Sequence, residues 1–192
     1  PTTRRSSSTT INPLPIFHVF GLTGGVLLPL LTGMKAFQYP SPLHTKQIPP
    51  LIKDSKASIL LATDTFVNQY ARASETDELA GLEFIVCGAE KVRDETHALI
   101  KERFGGVPVL EGYGATEASP VIAVNKPTDN RPGTVGGLLP GQEVRLEPVE
   151  GIPEGGRLFV RGPNIMAGYL REDGGVDAPE GGWHDTGDVV TL

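Results

Sequence analysis

Cysteine is almost missing from these 192 residues, and Cys87 is the only one. A disulfide within the chain is excluded, and a reducing compartment is the simpler expectation. Long apolar runs are missing as well. The longest, Val26 to Leu31 with its flanks, falls far short of the roughly 20 residues that cross a bilayer as a helix. No basic cluster exists: 17 Lys and Arg stand against 23 Asp and Glu, for a formal charge of −6. That argues against a nucleic-acid partner, because neutralising phosphates takes clustered cations. No signal peptide is expected from this stretch, where Arg4 and Arg5 lead straight into a Ser/Thr run. His18, His44, His97 and His184 lack metal-ligand spacing, so no zinc site is expected. The G-x-S-x-G elbow, the Walker A loop and the G-x-G-x-x-G fingerprint are all absent. Cys87 lies on an apolar run with no histidine near it in sequence, which reads as core packing rather than nucleophilic work.

Hydrophobic residues make up 39% of the chain, enough for a core. The 24 glycines and 17 prolines imply many turns. Residues 1–10 are polar and of low complexity, and read as a frayed or disordered segment. From there to Asn125, short apolar runs alternate with amphipathic ones. Ser58–Ala62, Glu83–Cys87 and Val107–Leu110 read as buried strands. Asp94–Phe104 has helical spacing and stops at Gly105-Gly106. Ile48–Ser55 is a second helix, its prolines near the start. Gly21–Leu31 is apolar nearly all round and reads as a buried helix. This alternation predicts an α/β fold, a doubly wound and mostly parallel sheet flanked by helices over residues 11–125. After Asn125 glycine and proline recur every few residues. Glu143–Leu146 and Arg157–Val160 alternate apolar with polar, so 126–192 reads as a small antiparallel β lobe. The chain starts at Pro1 and stops in a strand-like Val-Val-Thr-Leu, so both ends read as cuts in a longer polypeptide.

Four segments carry residues suited to chemistry. Glu111-Gly-Tyr-Gly-Ala-Thr-Glu117 follows a strand, where ligands sit in open parallel sheets. Gly112 and Gly114 let backbone approach a ligand, and Tyr113 offers a face for a purine. Thr116 offers a hydroxyl to phosphate, and Glu117 a hard oxygen to Mg²⁺. On spacing alone a plain glycine-rich turn with a surface glutamate fits as well. Cys87-Gly-Ala-Glu90 also follows a strand; Gly88 and Ala89 leave room for a planar ring, yet an ordinary strand-to-helix turn, with Glu90 early in the helix, fits better by itself. In Trp183-His-Asp-Thr-Gly-Asp188, the Asp188 carboxylate suits a ribose diol, and the same residues make a β-turn. In Pro15-Ile-Phe-His-Val-Phe-Gly21, His18 reads either as the gate of an apolar substrate channel or as the cap of the helix that follows.

Taken in order, these segments resemble the adenylate-forming superfamily: acyl-CoA synthetases, luciferases and peptide-synthetase adenylation domains. PIFHVFG is similar to its acyl-site segment and CGAE to its adenine-side segment. EGYGATE is similar to its YGxTE signature, GGRLFVRGPNIMAGYL to its GEL…GY strand pair, and WHDTGDVV to its TGD ribose segment. The resemblance implies an internal piece of the large N-terminal domain of an ATP-dependent acid–thiol ligase. It assigns Gly88, Ala89 and Glu90 to the adenine pocket, and Gly112, Tyr113 and Gly114 to the adenine and AMP phosphate side. Thr116 would meet ATP phosphate, Glu117 Mg²⁺, Asp188 the ribose hydroxyls and His18 the acyl pocket.

Finer similarity in YPSPLHTKQIPPLI and GPNIMAGYL points to bacterial acyl-ACP synthetases fused to a lysophospholipid acyltransferase. That implies a fatty acid as substrate and acyl carrier protein or CoA as acceptor. It also implies a place on the cytoplasmic side, with any inner-membrane association supplied by parts outside this chain. Phe-His stands where amino-acid-activating relatives place an Asp, which favours a fatty acid. The family's triphosphate loop and its C-terminal lysine domain are not in this stretch, so the segment alone is expected to lack turnover. The alternatives are a nucleotide-binding or structural module without catalysis, and a ligase for another carboxylic acid.

Overall fold

The computed structural model describes residues 8–75 and 77–192. The chain divides into two compact units, Pro1–Tyr113 with Val124–Gly137, and Gly114–Ala123 with Leu138–Leu192.

The first unit is built on parallel strands β1 (Thr9–Asn12), β2 (Lys35–Gln38), β3 (Ile59–Ala62), β4 (Phe84–Cys87) and β5 (Val109–Gly114). Their order is β2-β1-β3-β4-β5; β6 (Val121–Val124) and β7 (Gly137–Leu138) follow in the chain. Strands buried on both faces carry apolar residues at consecutive positions, as Ile-Leu-Leu-Ala in β3 does. Leu60, Ala62, Ile85, Cys87 and Val109 share one core with helices α3 (Ile48–Ser55), α4 (Asp64–Ala73) and α5 (Asp94–Phe104), through Ile52, Val67, Tyr70 and Ile100. Ile59 and Leu61 point to the opposite face, where they meet Leu14, Phe20, Met34, Phe84 and Val86. Helices on both faces of a parallel sheet make this the doubly wound α/β fold that the strand–helix alternation predicts. α5 stops where expected, at Gly105 with φ +67°.

Three expectations need correction. Of the segment read as frayed, residues 1–7 lie outside the described residues. Thr9 and Thr10 are buried and open β1, which is paired on both sides, so an internal strand position overrides polar composition. The strand before the Gly-Tyr-Gly motif starts later than read and runs to Gly114, so Gly112, Tyr113 and Gly114 belong to β5 itself. The third correction concerns Gly21–Leu31. A continuous helical run does form, as α1 (Val19–Leu22), a π turn at Thr23–Leu27 and α2 (Leu28–Thr32). Its buried stripe, however, is Gly21, Gly25 and Pro29, four residues apart, while Leu30 and Leu31 are 74% and 85% exposed. The small residues let this helix sit tight on Asn12: a Cβ on Gly25 would lie 2.1 Å from Asn12 Nδ2. An all-apolar run does not say which side packs, and here the side that packs is the smallest one.

The second unit holds a three-stranded antiparallel sheet, β12 (His184–Val190), β9 (Ile152–Arg161) and β8 (Glu143–Val149), and a two-stranded one, β10 (Tyr169–Leu170) with β11 (Val176–Asp177). Period two is clear in β8 and β9. Leu158 and Val160 are buried opposite Leu146 and Val144, while Arg161, Phe159 and Arg157 pair with Glu143, Arg145 and Glu147. The Arg145 guanidinium lies 4.8 Å from the Phe159 ring centre and 5.0 Å from that of Trp183.

Leu60 is fully buried in β3. Leu60→Ala is expected to cost about 2–5 kcal/mol, read as a lower denaturation midpoint of the full-length protein in urea; an unchanged midpoint would place this strand outside the core.

Candidate functional site

In the first unit, the turn after β4 carries Gly88, Ala89 and Glu90. Ala89 adopts φ +66°, a left-handed conformation uncommon for a residue with a Cβ. A Cβ on Gly88 would approach the Phe20 ring to 3.3 Å, so this turn abuts the segment that holds His18. His18 is the N-cap of α1, and its Nδ1 accepts the Phe20 N–H at 3.2 Å. The capping role open to this histidine is therefore present. The Glu90 carboxylate reaches α4: its Oε2 accepts from Thr65 N at 3.0 Å and Thr65 Oγ1 at 2.8 Å. Gly112 and Tyr113 are half-buried near the end of β5. Just before them, Glu111 is buried and accepts from Gly133 N at 2.8 Å, with His97 Nε2 at 3.2 Å. Cys87 is buried, and desolvation pushes its thiol well above the usual range, which fits packing and not nucleophilic use.

In the second unit, Gly114 needs its missing side chain: a Cβ there would collide with the Pro120 carbonyl oxygen at 1.8 Å. That approach is closed by the Ala115 N–H donating to the Pro120 oxygen at 2.9 Å. The closed turn presents exposed Thr116 and half-buried Glu117 on a single 3-10 turn, Thr116–Ala118. Tyr169, at the start of β10, donates its hydroxyl to Glu117 Oε1 at 2.7 Å. Two further ties hold the same stretch: Met166 N donates to the Glu117 carbonyl at 2.8 Å, and Asn164 Nδ2 to the Ala118 and Val121 carbonyls at 2.6 and 3.0 Å. The Tyr169 hydrogen bond holds the Glu117 carboxyl below its ordinary pKa, helped by its own backbone N–H and, more weakly, by His184. Asp188 is exposed in β12, inside a register shift between Asp185 and Val189, and its N–H donates to Thr186 Oγ1 at 3.2 Å. Arg157 pairs with Asp185 at 2.6 Å beside it.

Each unit thus gathers part of the expected set. The first joins His18, Phe20 and the Gly88–Glu90 turn; the second joins Glu117 with Tyr169 and His184. Tyr169 enters the sequence reading only as the end of the GGRLFVRGPNIMAGYL stretch. Fifty-two residues separate it from Glu117, and no local periodicity links them. Among the described residues no group of three or more His, Cys, Asp or Glu converges. One anionic, partly exposed Glu117 fits Mg²⁺, which binds through one or two carboxylates plus substrate phosphates instead of an all-protein cage.

Residues 2–170 match the family described as AMP-binding enzyme. A probable 4-coumarate–CoA ligase 3 of Dictyostelium discoideum is 30% identical over 97% of this chain and 36% of its own length. A long-chain-fatty-acid–CoA ligase of Yersinia pestis is 31% identical over 95% of this chain and 34% of its own. The crystal structure of ATP-bound MatB from Rhodopseudomonas palustris superposes with a TM-score of 0.80 at 26% identity, over 95% of this chain and 37% of that one. The chain spans about a quarter to just over a third of the length of the curated relatives it matches.

The Glu117–Tyr169 bond has a pH signature. A carboxyl whose folded pKa lies below its ordinary 4.5 contributes stability above that value and loses it as the pH falls through the folded pKa. Tyr169→Phe is expected to raise the Glu117 carboxyl toward 4.5 and to shrink that acid-side increment. A ¹³C NMR titration of the Glu117 carboxyl reads this directly, and an unchanged midpoint would mean the phenol is not its partner.

Proposed function

The chain belongs to the AMP-binding enzyme family, and on that premise we propose that it forms part of an ATP-dependent ligase that activates a fatty acid. In this reading the acid's carboxylate oxygen attacks the α-phosphorus of ATP. An O–P bond forms and the bond to pyrophosphate breaks; the thiol of an acyl carrier protein or CoA then attacks the acyl carbon of the acyl-adenylate, a C–S bond forms, and AMP leaves. The observation that carries the proposal is the closed Gly114–Pro120 turn, which sets Thr116 and an anionic Glu117 side by side at the end of β5.

Charge gathers on phosphate oxygens during this displacement, so positioning and electrostatics supply most of the catalysis. Glu117 would hold Mg²⁺, which when bound would neutralise part of that charge. Thr116 would donate to a phosphate oxygen. Gly88, Ala89, Gly112, Tyr113 and Gly114 would face the adenine and the AMP phosphate, with Glu90 closing the same turn, and Asp188 the ribose hydroxyls. His18, its ring held as the α1 cap, would border the acyl pocket.

Phe17-His18 in place of an acidic residue supports an uncharged acyl tail, and so does the 31% identity to the fatty-acid ligase. The finer reading is an acyl-ACP synthetase, joined in the whole protein to a lysophospholipid acyltransferase and working on the cytoplasmic side of a membrane. The 30% identity to a protein named for 4-coumarate favours a second reading, an aromatic acid as substrate.

ATP–pyrophosphate exchange by the full-length protein across a panel of acids separates the two. Exchange driven by fatty acids supports the first reading, and exchange driven only by aromatic acids replaces it with the second. Glu117→Ala is expected to slow exchange by roughly 10²-fold, as when one electrostatic stabiliser is lost; a near-normal rate would remove Glu117 from the mechanism.

A further inference from the structure

The Gly88–Glu90 turn is fastened by more than its own backbone. Thr65 is the second residue of α4, and its N–H is one of the four donors that a helix start leaves without a partner. Thr63, the N-cap, makes no side-chain capping bond. The donor is met instead by Glu90, 25 residues away in sequence, whose Oε2 also takes the Thr65 hydroxyl. A carboxylate there is further favoured by the positive end of the helix dipole.

A second pair of bonds runs the opposite way. Asp64, the first residue of α4 and 2% exposed, accepts from Arg93 N at 3.1 Å and from Arg93 Nε at 2.5 Å. Residues 88–93 are therefore pinned to the start of α4 at both Glu90 and Arg93. Ahead of these pins sit Ala89, in its left-handed conformation, and Gly88, against the Phe20 ring. A non-glycine residue stays left-handed only where its surroundings impose it. Glu90 is the tether directly after Ala89, and its carboxylate is engaged with Thr65.

We propose that Glu90 is a positioning residue for the nucleotide: by tying the Gly88–Ala89 turn to the start of α4 it sets how tightly ATP is held, and not how fast the phosphoryl bond breaks. This rests on the reading of that turn as adenine-facing. Without the tether the turn relaxes, and nucleotide binding must reorder it before the ring can lie against the backbone. The reacting atoms are served by Thr116 and Glu117, on a different turn, so the chemical step is spared.

The test is ATP–pyrophosphate exchange by the full-length protein, together with equilibrium binding of a non-hydrolysable ATP analogue. Glu90→Ala is expected to raise the KM for ATP and the analogue's Kd about threefold, the size expected for a hydrogen bond to a charged group that is exposed to water. The KM for the acid should stay put, and kcat should fall less than the ATP KM rises. Glu90→Gln keeps an acceptor for Thr65 and is expected to recover most of the loss; Thr65→Val, which removes only the hydroxyl, should fall between. An unchanged ATP KM and analogue Kd in Glu90→Ala overturns the proposal. So does a fall in which kcat and both KM values worsen together with the thermal midpoint, since that marks a purely structural cap. Gly88→Val, which drives a side chain against Phe20, separates the two levels. If it leaves ATP binding intact, the adenine-facing reading itself fails. If it weakens ATP binding while Glu90→Ala does not, only the positioning role of Glu90 falls.

Discussion

The carboxylates at the ends of the parallel strands are the constraint on which the rest of the first unit depends. A strand that stops and a helix that starts each leave backbone donors without partners. In this chain acids held at the junctions accept from three backbone donors. Asp64 takes the Arg93 N–H, Glu90 takes the Thr65 N–H, and Glu111 takes the Gly133 N–H. Each joins a strand end to an element distant in sequence. The turn between β4 and α5 is thereby tied to the start of α4 at two points, Glu90 and Arg93.

The second unit applies the same economy around Glu117. Its position comes from a backbone approach that only glycine permits at Gly114, and from the 164–169 stretch, which binds the turn through two backbone carbonyls and one carboxylate. Tyr169 acts on both partners: the bond that favours the Glu117 anion also makes the phenol harder to ionise. The charge therefore stays on the carboxylate, where a cation or a phosphate-bound metal would need it.

What the sequence made legible was local. α3 and α5 could be read because prolines mark one start and Gly105 one stop, and β3 and β4 because four apolar residues in a row have few other uses. The glycine-rich turns could be located for the same reason. What stayed hidden was relational. The run from Val19 to Thr32 contains enough leucine to look buried from every side, and only the sheet shows that Gly21, Gly25 and Pro29 are the face that packs. Thr9 and Thr10 look like tail until β2 and β3 flank them. Glu90 reads in sequence as an acid early in the helix that follows, but α5 starts only at Asp94. Its partner lies on the preceding helix, and no spacing rule reaches 25 residues back.

That difference bears on how the motif turns divide the work. Glu117 sits where its charge is exposed to a ligand and supported by one neutral phenol, an arrangement suited to a group that must meet developing charge. Glu90 spends its carboxylate on a helix start, and in the proposed reading the backbone of Gly88 and Ala89 would be the recognising surface. A side chain that contacted the adenine directly could be replaced by another donor or acceptor with a modest change in affinity. A tether beside a left-handed residue such as Ala89 would be harder to replace, because that conformation is kept only where its surroundings impose it. The selectivity of such a turn lies in its shape, and that shape is maintained by an acid that need not touch the nucleotide.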